Sequence, residues 1–324
     1  MGADRGPSEI VAGARLAADE LGADIVLVGD PDQMGDTGGL AVLAASEVVE
    51  PGEDPAQAVR RKKDASVVRA AEAVRDGTAS AMVSAGNTGA AMASALLRVG
   101  RIKGVSRPAI AAPLPAPGHT PTVLLDCGAN AECTPAWLVQ FAQMGAVFAA
   151  ERFGIAEPRV GLLSIGEEPS KGTPLVKETY ALLDRPRTLP ARARFVGNVE
   201  GRDALIGVTD VIVTDGFTGN VLLKTLEGGV KVVIGALARA MTATEEGLAA
   251  TAVLAPLVAP VQAELDVDNY GGALLLGIDG VCIISHGSSS ARAIFNAVKV
   301  AVEMVEGDLV EHLREAVASG AASD

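Results

Sequence analysis

The sequence is short of cysteine, histidine, aromatic side chains and positive charge, and each shortage excludes something. Its three cysteines, Cys127, Cys133 and Cys282, are too few and too unevenly spaced for a disulfide framework. With no Cys-x-x-Cys pair and only three histidines they make no zinc pattern, so neither a metal nor a cofactor is expected. A reducing cytosol suits such cysteine usage. Six phenylalanines, two tyrosines and one tryptophan leave little to stack on bases, and 40 acidic against 27 basic residues give a net charge of -13. That field repels nucleic acid, which is not an expected partner. Long apolar runs are missing too: Leu248 to Val261, the longest without charge, contains Pro256 and Pro260 and falls short of the roughly 20 residues of a spanning helix. It reads as a segment that lies on a membrane rather than crossing one.

What is present is 324 residues, 49% hydrophobic, with 37 glycines and 17 prolines, enough for a sizeable core joined by many tight turns. Short β-branched runs alternate with amphipathic stretches. The runs are Asp24 to Val28, Ala79 to Val83, Val123 to Asp126, Arg159 to Ser164, Arg194 to Val196, Val211 to Thr214 and Val281 to Ser285. Between them lie Ser8 to Leu21, Pro55 to Arg75, Pro135 to Phe153 and Ser288 to Val305. This is the rhythm of βαβ units, so the expected fold is α/β with a mainly parallel sheet, one domain over residues 1–324. Residues 221–265 lack strand signals and are expected to form a projecting helical hairpin whose helices meet near Pro256.

Ligands of parallel sheets bind beyond the carboxyl ends of strands, and here those exits are rich in glycine and small polar residues. They are Ser84 to Gly89, Gly128 to Asn130, Gly166 to Gly172, Asp215 to Asn220 and His286 to Ser290, and a parallel sheet would gather them on one edge. Such text suits turns and helix caps; repeated at several exits it also suits a bound phosphate or developing oxyanion. The loop around Lys171 is not a Walker A loop, because the lysine precedes its glycine, and no Gly-x-Gly-x-x-Gly follows a strand. His286 reads as a general acid or base, a hydrogen-bond donor to phosphate, or a strand-end cap. Between Arg60 and Arg107 ten basic residues face three acidic ones, a local +7 inside an acidic chain. It reads equally as a solvated face or as a dock for an acidic partner.

Several of these phrases, Ser84 to Ala90 (SAGNTGA), Gly166 to Gly172 (GEEPSKG), Phe195 to Asp203 (FVGNVEGRD), Asp210 to Gly228 (DVIVTDGFTGNVLLKTLEG), Tyr270 to Gly277 (YGGALLLG) and Ile284 to Ala291 (ISHGSSSA), together resemble the bacterial PlsX family. Its members are acyl-acyl carrier protein:phosphate acyltransferases of phospholipid synthesis. The resemblance implies a three-layer α/β/α sandwich related to phosphotransacetylases, a homodimer built partly through the hairpin, and transfer of a long-chain fatty acyl group to inorganic phosphate. Ala3, Glu132, Ser164 and Leu274 depart from the family's usual glycine, aspartate, asparagine and proline. The family also has a strand ahead of the Met1 to Gly6 segment, which implies a natural start upstream and Met1 as an internal methionine.

Phosphate would itself be the nucleophile, and positioning plus oxyanion stabilisation would supply the rate. Residue type and place assign Lys171 to phosphate or transition-state charge and Asn220 to a hydrogen bond at the reacting carbonyl. Asn87, Thr88, Asn130, His286 and Ser288 are assigned to the phosphate and substrate lining. Arg61, Lys62 and Lys63 are the expected dock for an acidic acyl carrier protein. Leu254, Leu257 and Val258 are expected at the hairpin tip, touching the inner face of the cell membrane reversibly, with burial in the dimer as the alternative. The product would pass to a downstream glycerol-3-phosphate acyltransferase, placing the protein in the cytoplasm and peripherally on the membrane. The rival readings are a phosphotransacetylase-like enzyme using acyl-coenzyme A, a metal-dependent dehydrogenase of related architecture, and a non-catalytic membrane-bound organiser of lipid synthesis.

Overall fold

The computed structural model describes residues 2–190 and 192–321, so Met1 lies outside the described residues. The chain opens with α1 (Pro7–Leu21), β1 (Val26–Gly29), α2 (Pro31–Met34) and β2 (Ala41–Ala44), and β1 and β2 form a small parallel sheet of their own. Next come α3 (Pro55–Arg61), α4 (Ser66–Arg75), β3 (Ala81–Ser84) and α5 (Thr88–Ser94), which runs on as a π-helical turn over Ala95–Val99. The centre holds β4 (Ala109–Leu114), β5 (Thr122–Leu125), α6 (Pro135–Phe153), β6 (Arg159–Leu163), α7 (Pro174–Leu183), β7 (Arg194–Val199) and β8 (Val211–Val213). Then follow α8 (Gly216–Met241), α9 (Glu245–Leu265), β9 (Ala273–Leu276), β10 (Val281–Ile284), α10 (Ala291–Glu306) and α11 (Leu309–Ala321).

Eight strands form the main sheet in the order β3-β10-β9-β4-β5-β8-β6-β7. Both its faces are buried, and the strands alternate between two cores. Val211 and Val213 of β8 point with Leu274 and Leu276 of β9 toward Phe141, Met144 and Phe148 of α6, whereas Ile212 and Leu275 point the other way, with Cys282, toward Ala91 and Leu223. The result is the expected three-layer α/β/α sandwich.

The seven strands read from the sequence are all present, each shifted by a few residues at most. Three more, β2, β4 and β9, were not legible. Two of them change the architecture. β10, β9, β4 and β5 pair antiparallel in succession, while β3 with β10, and β5 with β8, β6 and β7, pair in parallel. The sheet is therefore mainly parallel but consists of two blocks running in opposite directions, and the strand exits do not share one edge. They still meet, because Ala111 of β4 pairs both with Leu125, the last residue of β5, and with Leu274 of β9, which pairs with Ile283 near the end of β10. The carboxyl ends of the opposed blocks thus face each other across β4.

The hairpin is present with different joints. α8 runs unbroken to Met241, and Thr244 caps the start of α9 by accepting from Gly247 N at 3.0 Å, so the turn lies at Thr242–Thr244 rather than near Pro256. Pro256 and Pro260 lie inside α9, none of whose residues is buried. Leu254, Leu257 and Val258 accordingly occupy the middle of this exposed helix, not the tip. α9 is 21 residues long and apolar enough to match a bilayer's thickness, longer than the proline-bearing run suggested.

Candidate active site

A cleft of about 250 Å³ lies where the opposed strand ends meet. Its floor is Ile110, Ala112 and Pro113 of β4, and its walls come from exits of both blocks: Thr88 after β3, Cys127 after β5, Asn220 after β8, and Ser285 and His286 after β10. The segment around Tyr270 covers a further side, and Tyr270 also borders an open surface depression walled by His119 and Glu264.

α8 supplies one whole wall. Asp215 caps it, its carboxylate accepting from Thr218 N at 2.8 Å. Gly216 and Gly219 let its first turn press against the β5 exit: a Cβ on Gly216 would stand 2.6 Å from the Asn130 carbonyl oxygen, and one on Gly219 would collide with that of Asp126. From there Asn220, Leu223, Lys224 and Glu227 follow at helical spacing, so a single face of α8 lines the cleft over two turns, about 10 Å.

Thr88, Asn220 and His286 are thus brought together as the sequence suggested. The other assigned residues stand elsewhere. Asn87 caps α5, accepting from Ala90 N at 3.0 Å. The Asn130 side-chain amide donates to Asp126 Oδ2 and to the Pro108 carbonyl, so it braces the loop instead of lining the cleft. Ser288 is exposed outside the cleft, and Ser289, its buried neighbour, lines it instead. Lys171 is exposed on the loop after β6, at the same end of the parallel block as Asn220 but not in the cleft wall. Close beneath that loop Ser164 Oγ is buried without a hydrogen-bond partner among the described residues.

Sequence reading missed Lys224, Glu227, Asp268 and Ser285. The i, i+3, i+4, i+7 spacing from Asn220 to Glu227 was the signal available, but it points to a shared helix face only once Asn220 is known to face the cleft. Glu227 accepts from Lys224 Nζ at 2.9 Å, and Nε2 of His286 lies 3.3 Å from its other oxygen. Burial works to raise its pKa, but the hydrogen bonds from His286 and Lys224 and the Lys224 charge outweigh it and bring it to about 2. Across the cleft Asp268 is raised, by burial and by Asp266, with His286, Lys231 and Arg5 opposing. Burial pushes the Cys127 thiol up and brings those of Cys133 and Cys282 to about 12, so none is a thiolate near neutral pH.

Residues 1–312 match the family model described as fatty acid synthesis protein. The chain belongs to this family, the PlsX family. It is 49% identical to the phosphate acyltransferase of Pelotomaculum thermopropionicum, over 98% of this chain and 94% of that one. The phosphate acyltransferase of Thermosynechococcus vestitus is 46% identical, over 97% of this chain and 92% of the other. Among solved structures, a phosphotransacetylase from Streptococcus pyogenes superposes with a TM-score of 0.62 at 17% identity, covering 92% of this chain and 91% of that one. That likeness is one of fold, the phosphotransacetylase-like α/β sandwich.

Proposed function

We propose that the protein is a phosphate acyltransferase that moves a long-chain fatty acyl group from acyl carrier protein to inorganic phosphate. The observation that carries this reading is the cleft over β4, where Thr88, Asn220 and His286 from opposed halves of the sheet converge in a chain about half identical to named phosphate acyltransferases. An oxygen of phosphate attacks the thioester carbonyl carbon, the carbon–oxygen π pair moves onto the carbonyl oxygen, and its return expels the carrier's thiolate. Asn220 donates its side-chain amide to the developing oxyanion, a contact stronger in the transition state than in the ground state. Lys171, on the neighbouring exit, supplies positive charge to phosphate. The apolar floor on β4 excludes water, which would otherwise compete for the acyl group.

The same reading extends to partners. The basic stretch containing Arg61, Lys62 and Lys63 suits an acidic carrier protein, and the exposed apolar faces of α8 and α9 suit a second copy of the chain and contact with the inner face of the cell membrane. An acyl phosphate is a reactive mixed anhydride, so direct delivery to a membrane-bound glycerol-3-phosphate acyltransferase is the use that fits it. One experiment decides the central claim: the protein is incubated with phosphate and either palmitoyl-acyl carrier protein or palmitoyl-coenzyme A, and acyl phosphate is measured by mass spectrometry. Product from the carrier substrate supports the reading, product from coenzyme A alone moves the substrate class, and no product from either overturns it.

A further inference from the structure

Glu227 is a carboxylate whose side chain is only 12% exposed, set two turns along α8 from Asn220 and held from both sides by Lys224 and His286. Burying a carboxylate is costly unless it is paired, so this pairing is what permits the charge to face the cleft. Beside His286 the Ser285 hydroxyl is also buried in the cleft wall and has no hydrogen-bond partner among the described residues. Buried polar atoms are ordinarily satisfied, and a ligand atom arriving next to His286 would satisfy this one.

We propose that Glu227 is a positioning residue: it holds one ring nitrogen of His286 and thereby presents the other to the reacting groups, making His286 the carrier of the proton that acyl transfer moves. The proposal rests on the phosphate acyltransferase reading. In that reaction the hydrogen phosphate dianion forms a new oxygen–carbon bond, the carbon–sulfur bond breaks, and the sulfur leaves with the electron pair. The P–OH proton passes to neutral His286 and from the imidazolium to the thiolate sulfur. The products are the acyl phosphate dianion and the free thiol, and His286 returns to its neutral form. The carboxylate stabilises the transient imidazolium, as a neighbouring anion does for any histidine base.

The charged groups around His286 come from several elements. Glu227 and Lys224 belong to α8, and Asp268 belongs to the short turn Val267–Tyr270, itself under the influence of Lys231, Arg5 and Asp266. Asp4 is the fourth, its backbone N–H donating to the Gly287 carbonyl at 2.9 Å. Glu227 is the one of these carboxylates that contacts the ring.

The test compares wild type with Glu227→Gln, Glu227→Ala, His286→Ala and the Glu227→Ala/His286→Ala double variant, in kcat and KM for phosphate across about pH 6 to 9. Glu227→Gln keeps the shape and removes the charge. It is expected to lower kcat about tenfold, a fraction of the 10² to 10⁴ of a whole acid–base group, with little change in KM. The split between kcat and KM separates this role from a merely structural one. The double variant should be no slower than His286→Ala alone. An unchanged kcat in Glu227→Gln, or effects of the two alanine variants that multiply, would overturn the proposal. Should Glu227→Ala not fold, Glu227→Gln decides by itself. A wild-type protein that makes no acyl phosphate overturns the functional reading, whereas an active wild type matched by Glu227→Gln overturns this inference alone.

Discussion

Asn130 donates its side-chain amide to Oδ2 of Asp126 at 2.9 Å, and Asp126 in turn accepts from the backbone N–H groups of Ile110, Gly128, Ala129 and Asn130. Burial raises the pKa of Asp126, and these donors oppose that rise. The pair ties the β5 exit to β4, directly behind the cleft. Asp126→Ala would strand several buried N–H groups at a cost of about 1 to 3 kcal/mol each where no water reaches them. A loss of at least about 2 kcal/mol in denaturant unfolding is expected. Asn130→Ala should cost less, since it leaves the backbone donors to Asp126 in place.

Asn220 and Lys171 should separate kinetically. Asn220 faces the cleft, and its replacement by alanine is expected to lower kcat at least about tenfold, a modest share of the effect of losing an oxyanion donor. Lys171→Ala, from outside the cleft wall, should show mainly as a raised KM for phosphate. Equal, wild-type kinetics in both variants would remove these residues from the site.

Within the expected carrier dock the charges are not equivalent. Arg61 and Lys62 both bond Glu53, at 2.6 and 2.5 Å, and Lys62 also donates to the Val48 carbonyl, whereas Arg60 and Lys63 are exposed and have no ion-pair partner among the described residues. Arg60→Glu with Lys63→Glu should therefore raise KM for acyl carrier protein, and added salt should do the same by screening. Lys62→Ala should act instead on stability. A carrier KM indifferent to both charge reversal and salt would leave this face without a docking role.

The Glu227 cluster also predicts an acid dependence of stability. The folded pKa of about 2 lies below the ordinary 4.5, so the pairing contributes stability that is complete above about pH 4.5 and disappears as pH falls toward 2. The stability gap between wild type and Glu227→Gln should be widest at neutral pH and should narrow below pH 4.5. A gap constant between about pH 6 and 3 would contradict the pairing.

On α9, Leu257 is 72% and Val253 74% exposed, values that suit a covered surface rather than open water. Replacing Leu254, Leu257 and Val258 with glutamine should abolish liposome flotation and leave the soluble reaction intact. A wild-type dimer in light scattering that these substitutions convert to a monomer, with flotation retained, would assign the helix to a subunit interface.

The sequence alone determined the α/β class with its mainly parallel sheet, the seven strands rich in β-branched residues, and the exits that carry Asn220 and His286, because these follow from local periodicity and local chemistry. It misplaced the hairpin joint at Pro256, since proline marks a helix break in sequence while Thr244 and its cap set the actual boundary. β4 (AIAAPL) and β9 (ALLL) have the alanine, proline and leucine of helices and loops. They become strands by burial on both faces and by pairing, each with a strand close in sequence, β5 or β10, and with each other across the length of the chain. Those pairings reverse the sheet at its centre and bring exits of opposite direction over β4, which is why Asn220 shares a cleft with His286 while Lys171 and Ser288 stand outside it. Propensity acts over a few residues, whereas the pairing of β4 with β9, as between Ala109 and Leu276, joins the two halves of the sheet from distant parts of the chain, and only the folded chain contains it.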